Sequence, residues 1–397
     1  MLAHSNDLEN FRLQLRDWLQ VNVPAGWRDR MTGATDGDFE AFQREWFSTL
    51  RSGGWLAPHW PREWGGGGCS IPEQIVIYEE MARVDAPRLG LYFVSLVHLL
   101  GTLMEFGTQA QRQRYLPGVI ERGEVWAQGF SEPNAGSDLA SLKTRAERRG
   151  DRYVVNGQKI WSSYAMFARW YLLLVRTDPA APKHRGITYL LVDLDAPGIE
   201  RRPIRQLTGE AEFCEVFLTD VEVPVENRVG DENRGWQVTQ ATLSAERGVG
   251  MVEASARLMR VFDQLIADAL RAHPGGRLID DDEVRRELVR LYARTQACVC
   301  LVGEQMTRLI HGGSRGAEAA IIKLYYSELL REVGDFGVRL NGLQARYHAP
   351  RQMGGGFETG DWMNDYQSHY GWTVAGGTNE VMRNIIGERE LGLPREP

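Results

Sequence analysis

Apolar residues recur at helical spacing from the start of the chain. Leu8, Phe11, Leu15, Trp18 and Leu19 fall on one face, and Asn6 with Glu9 three residues on makes a capping box at its head. The same period predicts helices over 39–50, stopped by Gly53-Gly54, and over 71–84, 89–106 and 109–121. From about residue 124 the pattern becomes strand-like, with short runs at 153–155, 160–161, 171–175, 187–194, 213–218 and 221–223 between Pro, Gly and Asp. Asn233-Arg-Gly-Trp236 then opens a second helical region. Leu258, Val261, Phe262, Leu265 and Leu270 share a stripe there, and further helices are expected over 281–309 and 317–340. Helices, then strands, then helices predict an α+β chain of segregated segments rather than βαβ repeats: an N-terminal helical domain (1–123), a small middle β domain (124–230) and a C-terminal helical bundle (231–397).

The stretch 125–165 stands out. Between 131 and 137 it places Pro, Asn, Gly, Ala and two Ser where a regular element wants longer side chains, so the backbone can approach a ligand. Asn156-Gly157 between two apolar runs predicts a tight hairpin turn that holds Trp161, Ser162 and Ser163 close to that loop. A flat redox-active ring needs an aromatic surface and donors around its rim, and these residues supply both. Residue types alone favour a plainer reading, a surface loop beside an ordinary hairpin.

Composition narrows the classes. A net charge of −7, with four Lys and forty-two Arg interspersed among acids, argues against a nucleic-acid partner. Cys69, Cys214, Cys298 and Cys300 have neither metal-ligand spacing nor the density of a disulfide scaffold, so no metal is expected and a reducing, cytoplasmic setting is. No secretory signal opens the chain, and the apolar run 89–107 carries His98 and Glu105, as a core helix does and a membrane span does not. The four glycines at 65–68 match no phosphate-binding pattern and read as a flexible connection. Gly312-x-Ser314-x-Gly316 matches a nucleophile elbow in letters, yet it follows a helix rather than a strand and reads as a polar interhelical loop.

The order of residues adds more. G-F-S-E-P-N-A-G-S-D from 129 to 138, followed by V-N-G-Q-K-I-W-S-S, resembles the flavin-site signature of the acyl-CoA dehydrogenase family. Y-L-P-G-V-I-E-R-G at 115–123, F-C-E-V-F-L-T-D-V-E-V-P at 213–224, N-R-G-W at 233–236 and G-T-N-E-V-M-R-N-I-I-G-E-R at 377–389 extend the resemblance over nearly the whole chain. It implies the same three-part architecture, bound FAD, and dehydrogenation of an acyl-CoA thioester between Cα and Cβ. That reaction needs a base for the α-proton, donors to the thioester oxygen and a hydride acceptor. By resemblance, Gln128, Phe130, Ser131, Trp161 and Ser163 surround the flavin ring, and Gly136 and Ser137 sit where the loop meets ring and thioester. Thr378 and Glu380 reach the phosphate-bearing chain, Glu380 being the weakest because a carboxylate near phosphate is unfavourable.

Most relatives carry the base as a Glu just before the Gly-Thr of the C-terminal loop, where this chain has Gly376. A minority branch, resembling isovaleryl-CoA and long-chain acyl-CoA dehydrogenases, places it in a Glu-Arg pair on a helix, which Leu243-Ser-Ala-Glu246-Arg247 matches. Glu246 is therefore the candidate base, its plainer reading being a surface helix Glu in an ion pair. Arg247, Ser137 and the Gly376 N–H stand beside it on the substrate side. Gly250, one turn after Glu246 on the same face, leaves room for an acyl group larger than a straight chain.

Two elements depart from the family. The R-x-x-F-G segment that grips the adenine end across a subunit boundary appears only as Arg271-Ala-His-Pro-Gly275, and Gln352-Met-Gly-Gly-Gly356 is offset from the usual Q-x-x-G-G-x-G. Such erosion resembles the actinobacterial steroid-CoA dehydrogenases built from two different family members. The implied partners are an acyl-CoA substrate, an electron-transfer flavoprotein as acceptor, and a homotetramer or a heterotetramer with a second family member. Two other readings are a non-catalytic partner subunit and a flavin oxidase or monooxygenase on the same fold.

Overall fold

The computed structural model of the protein describes residues 6–245, 249–273, 275–313, 317–346 and 359–394. The chain forms two compact units, one from residues 34–68 and 89–246, the other from 1–33, 69–88 and 247–397.

The first unit is built on a sheet of β1 (Trp126–Gly129), β2 (Arg145–Arg149), β3 (Arg152–Ser163), β4 (Trp170–Arg176), β5 (Ile187–Asp193), β6 (Ile199–Ile204), β7 (Phe213–Pro224) and β8 (Arg228–Val229). The order is β6-β7-β3-β2-β4-β5-β8, with β1 lying parallel to β4. Every residue of β4 from Tyr171 to Val175 is buried, as is β5 from Ile187 to Val192, because both faces of the sheet are covered there. Each of these Leu, Val or Ile side chains contributes roughly 1.5–3 kcal/mol on burial. The helix Gly235–Ala245 packs on β5 and on the helix Leu99–Phe106, and the Thr102 and Thr242 hydroxyls bond at 2.7 Å across that contact. Thr35 and Thr108 close capping boxes on the helices Asp36–Ser52 and Gln109–Arg122.

The expected α+β class, helical then β then helical along the sequence, is what the chain adopts. Several local expectations change. No turn forms at Asn156-Gly157; the hairpin turns at the two residues between β2 and β3, Gly150-Asp151, where Gly150 takes φ +65°. Asn156 instead exchanges two 3.0 Å bonds with Asp220 of β7, where β7 carries one extra residue opposite Asn156 in a bulge, and a Cβ on Gly157 would lie 2.5 Å from the Thr144 hydroxyl. The runs 213–218 and 221–223 are one strand, β7. The expected helix over 89–106 is broken into a 3₁₀ turn, a π turn and the helix Leu99–Phe106. The glycines at 65–68 form a turn held to the fully buried Trp60: the Gly68 N–H donates to the Trp60 carbonyl at 2.8 Å, and a Cβ on Gly66 would lie 2.4 Å from the same oxygen.

In the second unit the helix Asn6–Asn22 packs on Ile71–Arg83, which packs on Gly250–Leu270. Asp282–Ile310, Glu318–Asn341 and Trp362–Val374 complete a bundle around Leu258, Val261, Phe262, Leu265, Leu291, Leu329, Leu330 and Val333. Leu270, assigned to the core stripe, is instead half exposed at the helix end. Ser314 of the elbow-like sequence lies outside the described residues, and the helix before it ends at Ile310. Among the described residues, no helix is long and apolar enough to cross a membrane, and no group of His, Cys, Asp or Glu could hold a metal ion.

Candidate active site

In the sheet unit, β1 ends at Gly129, where a Cβ would lie 2.3 Å from the Tyr171 ring, so only glycine lets the chain pass. Phe130 is buried edge-on to Tyr189 with ring centroids 5.8 Å apart. Glu132 and Ala135 then exchange backbone bonds of 3.1 and 3.0 Å, closing the loop into a tight turn that leaves Gly136 and Ser137 exposed. The Ile160 N–H donates to the Ser131 carbonyl at 3.0 Å, which brings the end of β3 against this loop. Trp161 follows at φ +62° with 55% of its surface exposed, its ring edge-on to Phe213. Gln128, Ser131 and Ser163 are half-buried. Ser162 turns inward to bond the Tyr171 hydroxyl at 2.6 Å.

Sequence reasoning missed the anchor beneath this surface. The Lys159 ammonium, wholly buried, donates to the Phe130 carbonyl at 3.1 Å and to Glu132 Oε1 at 2.9 Å. Glu132 also accepts from the Lys143 and Thr144 N–H groups at 2.7 and 2.8 Å. Burial pushes Lys159 down to about 8, against the opposing pull of Glu132. Burial alone would raise Glu132, but the Lys159 charge and the bonds from Thr144 and Lys143 hold it below its ordinary value.

In the helical unit, Trp362–Val374 ends at Ala375, after which Gly376 and Gly377 take φ +63° and +93°. Both values lie in the left-handed region that side chains rarely adopt. Thr378 caps the helix Asn379–Ile385 by accepting from the Val381 N–H at 3.2 Å. Glu380 is exposed and faces Arg383 at 3.5 Å. Arg271 pairs with the buried Asp268, which also accepts from Trp362 Nε1 at 2.7 Å, Gln264 Nε2 at 2.9 Å and Asn341 Nδ2 at 3.0 Å. Glu246, Arg247 and the segment 352–356 lie outside the described residues. Gln128, Phe130, Ser131, Trp161 and Ser163 thus share one region of the sheet unit, while Gly376, Thr378 and Glu380 share one loop of the helical unit.

The fold and these two loops define a flavoprotein dehydrogenase architecture, and the chain belongs to the acyl-CoA dehydrogenase family of FAD-dependent oxidoreductases. The family's N-terminal domain model matches residues 5–123, its middle domain model 127–221 and its C-terminal domain model 233–391. The acyl-CoA dehydrogenase IpdE1 of Mycobacterium tuberculosis is 37% identical over 399 residues, covering 98% of this chain and 99% of that protein. Among solved structures, the Tcur3481-Tcur3483 steroid ACAD superposes with a TM-score of 0.85 at 33% identity, covering 100% of both chains. The ChsE4-ChsE5 complex from Mycobacterium tuberculosis gives 0.84 at 31%, again over 100% of both chains.

The residues present fit the ring of FAD. Trp161, with 55% of its surface exposed, offers a stacking surface, and the half-buried Gln128, Ser131 and Ser163 on the adjoining strands and loop offer rim donors. Thr378 suits a phosphate oxygen, since its hydroxyl proton is free to donate while its oxygen caps the helix. Glu380 adds no donor, and Arg271 is already engaged by Asp268.

Proposed function

We propose that this protein dehydrogenates an acyl-CoA thioester between Cα and Cβ, with Glu246 as the base. The observation that carries the assignment of the base is the backbone at Gly376. Its φ of +63° disfavours any side chain at the position where most of the family carries its carboxylate, which leaves the Glu246-Arg247 pair. Glu246 takes the α-proton, and the Gly376 N–H meets the negative charge that develops on the thioester oxygen. Gln128, Phe130, Ser131, Trp161 and Ser163 orient the ring, Gly136 and Ser137 lie where ring and thioester meet, and Arg247 lines the substrate side. Thr378 holds the phosphate chain; the roles of Glu380 and Arg271 are the least supported, given their partners in this chain. FAD, when bound, supplies the acceptor for the hydride from Cβ. The segments 1–123, 124–230 and 231–397 serve as the N-terminal, middle and C-terminal domains of this reaction, in the cytoplasm, with an electron-transfer flavoprotein as the next acceptor.

The acyl group in this reading is bulky, of steroid type. Support comes from the steroid ACAD structures and from Gly250, where a Cβ would meet no atom within 4 Å. Under anaerobic conditions a polycyclic or branched acyl-CoA bleaches the flavin absorbance faster than butyryl-CoA or octanoyl-CoA. Equal or faster bleaching by the straight chains refutes the substrate assignment, and no bleaching by any thioester refutes the activity.

The protein works as an oligomer, a heterotetramer with a second family member in the reading favoured by the ChsE4-ChsE5 complex. Purified alone it then carries substoichiometric FAD and gains flavin and turnover when the partner is added. A flavin-loaded monomer in light scattering would sink this. A second reading, open to any chain that works in a complex of two family members, is a non-catalytic subunit that completes another protein's site; turnover with the partner then survives removal of Glu246.

A further inference from the structure

Only four of the forty-six basic residues are lysines, and one of them, Lys323, is buried in the helical unit beneath the loop that carries Gly376 and Thr378. It lies on the inner face of the helix Glu318–Asn341. Its ammonium donates to the Gly377 carbonyl at 2.7 Å and to Asn379 Oδ1 at 3.0 Å. Ser327, one turn further on the same face and fully buried, donates to the same Asn379 oxygen at 2.9 Å. These bonds fall on the two residues that flank Thr378, directly after Gly376. The segment they hold carries two successive left-handed glycines, and a Cβ on Gly377 would lie 2.6 Å from Met382 Cε.

We infer that Lys323 is a positioning residue for the proposed reaction: through Gly377 and Asn379 it fixes the loop that presents the Gly376 N–H to the thioester oxygen and the Thr378 hydroxyl to the flavin phosphate. The inference rests on the function proposed above. Glycines at 376 and 377 give this loop a wide choice of backbone conformations, so something outside the loop must select one. A lysine suits the task because its ammonium is a compact charge with three donors that reaches two acceptors on one short segment, where the planar guanidinium fork of arginine is larger and fixed in shape. In a chain that uses arginine almost everywhere else, the retained lysine marks a place where shape matters. Misplacement of a reacting group by about 1 Å costs on the order of 100-fold in rate.

The test compares wild type with Lys323→Met, which keeps the length of the side chain and removes its donors. Amide hydrogen exchange of the 374–382 segment is read first, since it does not depend on turnover. Exchange there rises at least about tenfold relative to peptides elsewhere in the chain, and the saturating rate of anaerobic flavin reduction by the most active CoA thioester falls about 100-fold, more than KM changes. Lys323→Arg restores neither. Should Lys323→Met fail to fold, Asn379→Ala removes one acceptor and produces the same two effects, smaller in size. Unchanged exchange in that segment, or a folded, flavin-loaded variant that reduces within threefold of wild type, overturns the inference. If exchange rises but wild type itself is reduced by no thioester, the positioning stands and the proposed function falls.

Discussion

Trp161 shows how much a single residue can reveal. Its place after an Asn-Gly pair and before two serines marked it in the sequence as a surface for a flat ring, and it does lie exposed beside the 131–137 loop. The expected hairpin turn at Asn156-Gly157 is not what places it there. β3 runs straight through Asn156-Gly157, and what brings Trp161 to the loop is the bond from the Ile160 N–H to the Ser131 carbonyl. Lys159 and Glu132 were not legible at all, because a lysine in an alternating strand and a glutamate before a proline both read as solvated. Only the scarcity of lysine in the composition hinted otherwise. Buried as they are, removing one partner strands the other charge, so Lys159→Met costs roughly 3–5 kcal/mol of folding stability. Urea denaturation measures it. A loss under about 1 kcal/mol would mean that the pair is dispensable to the loop.

Elements with strong periodicity were read correctly from their letters: the helices near 6–19, 39–50, 71–84 and 109–121 appear where the apolar stripe put them. Breaks within apolar runs were not, since the π turn at Val94–His98 and the continuous β7 depend on tertiary partners rather than on local spacing. Partner choice between helices was equally hidden. Asn6–Asn22 is fastened to Ile71–Arg83 by Glu80, which accepts from Arg12 at 3.0 Å, from Arg16 at 2.7 and 3.0 Å, and from Arg83 at 2.6 Å. Burial alone would raise the Glu80 carboxyl, but the bonds from Arg16, Arg83 and Arg12 take it down to about 2. A depressed carboxylate stabilises the fold fully above its ordinary value of 4.5, and that stabilisation is lost as pH falls toward about 2. Glu80→Gln is therefore less stable than wild type at pH 7 by roughly 2 kcal/mol, a discount from the fully buried case because the arginines are partly in water. Denaturation at pH 7 and near pH 2.5 shows the gap narrowing at acid pH. A gap that stays constant would remove Glu80 as the cause.

At the scale of the molecule, the order helix, strand, helix announced the class, and the motifs at 129–138, 213–224 and 377–389 announced the family, because both are written along the chain. The grouping into units is not written along the chain. Residues 1–33 and 69–88 join the C-terminal bundle, while 34–68 joins the sheet, a choice made by packing between segments far apart in sequence. In the proposed reaction Glu246 removes the α-proton while Gly376 contributes only its backbone. Glu246→Gln keeps the size and hydrogen-bonding capacity of the side chain but cannot accept a proton, and general-base catalysis is worth about 10²–10⁴-fold. The measurement is anaerobic flavin reduction by the most effective CoA thioester, in wild type and Glu246→Gln assembled in the same way, with FAD content and thioester binding recorded alongside. The reduction rate of Glu246→Gln falls by at least about 100-fold with flavin content and thioester binding near wild type; full activity in Glu246→Gln would rule out Glu246 as the base.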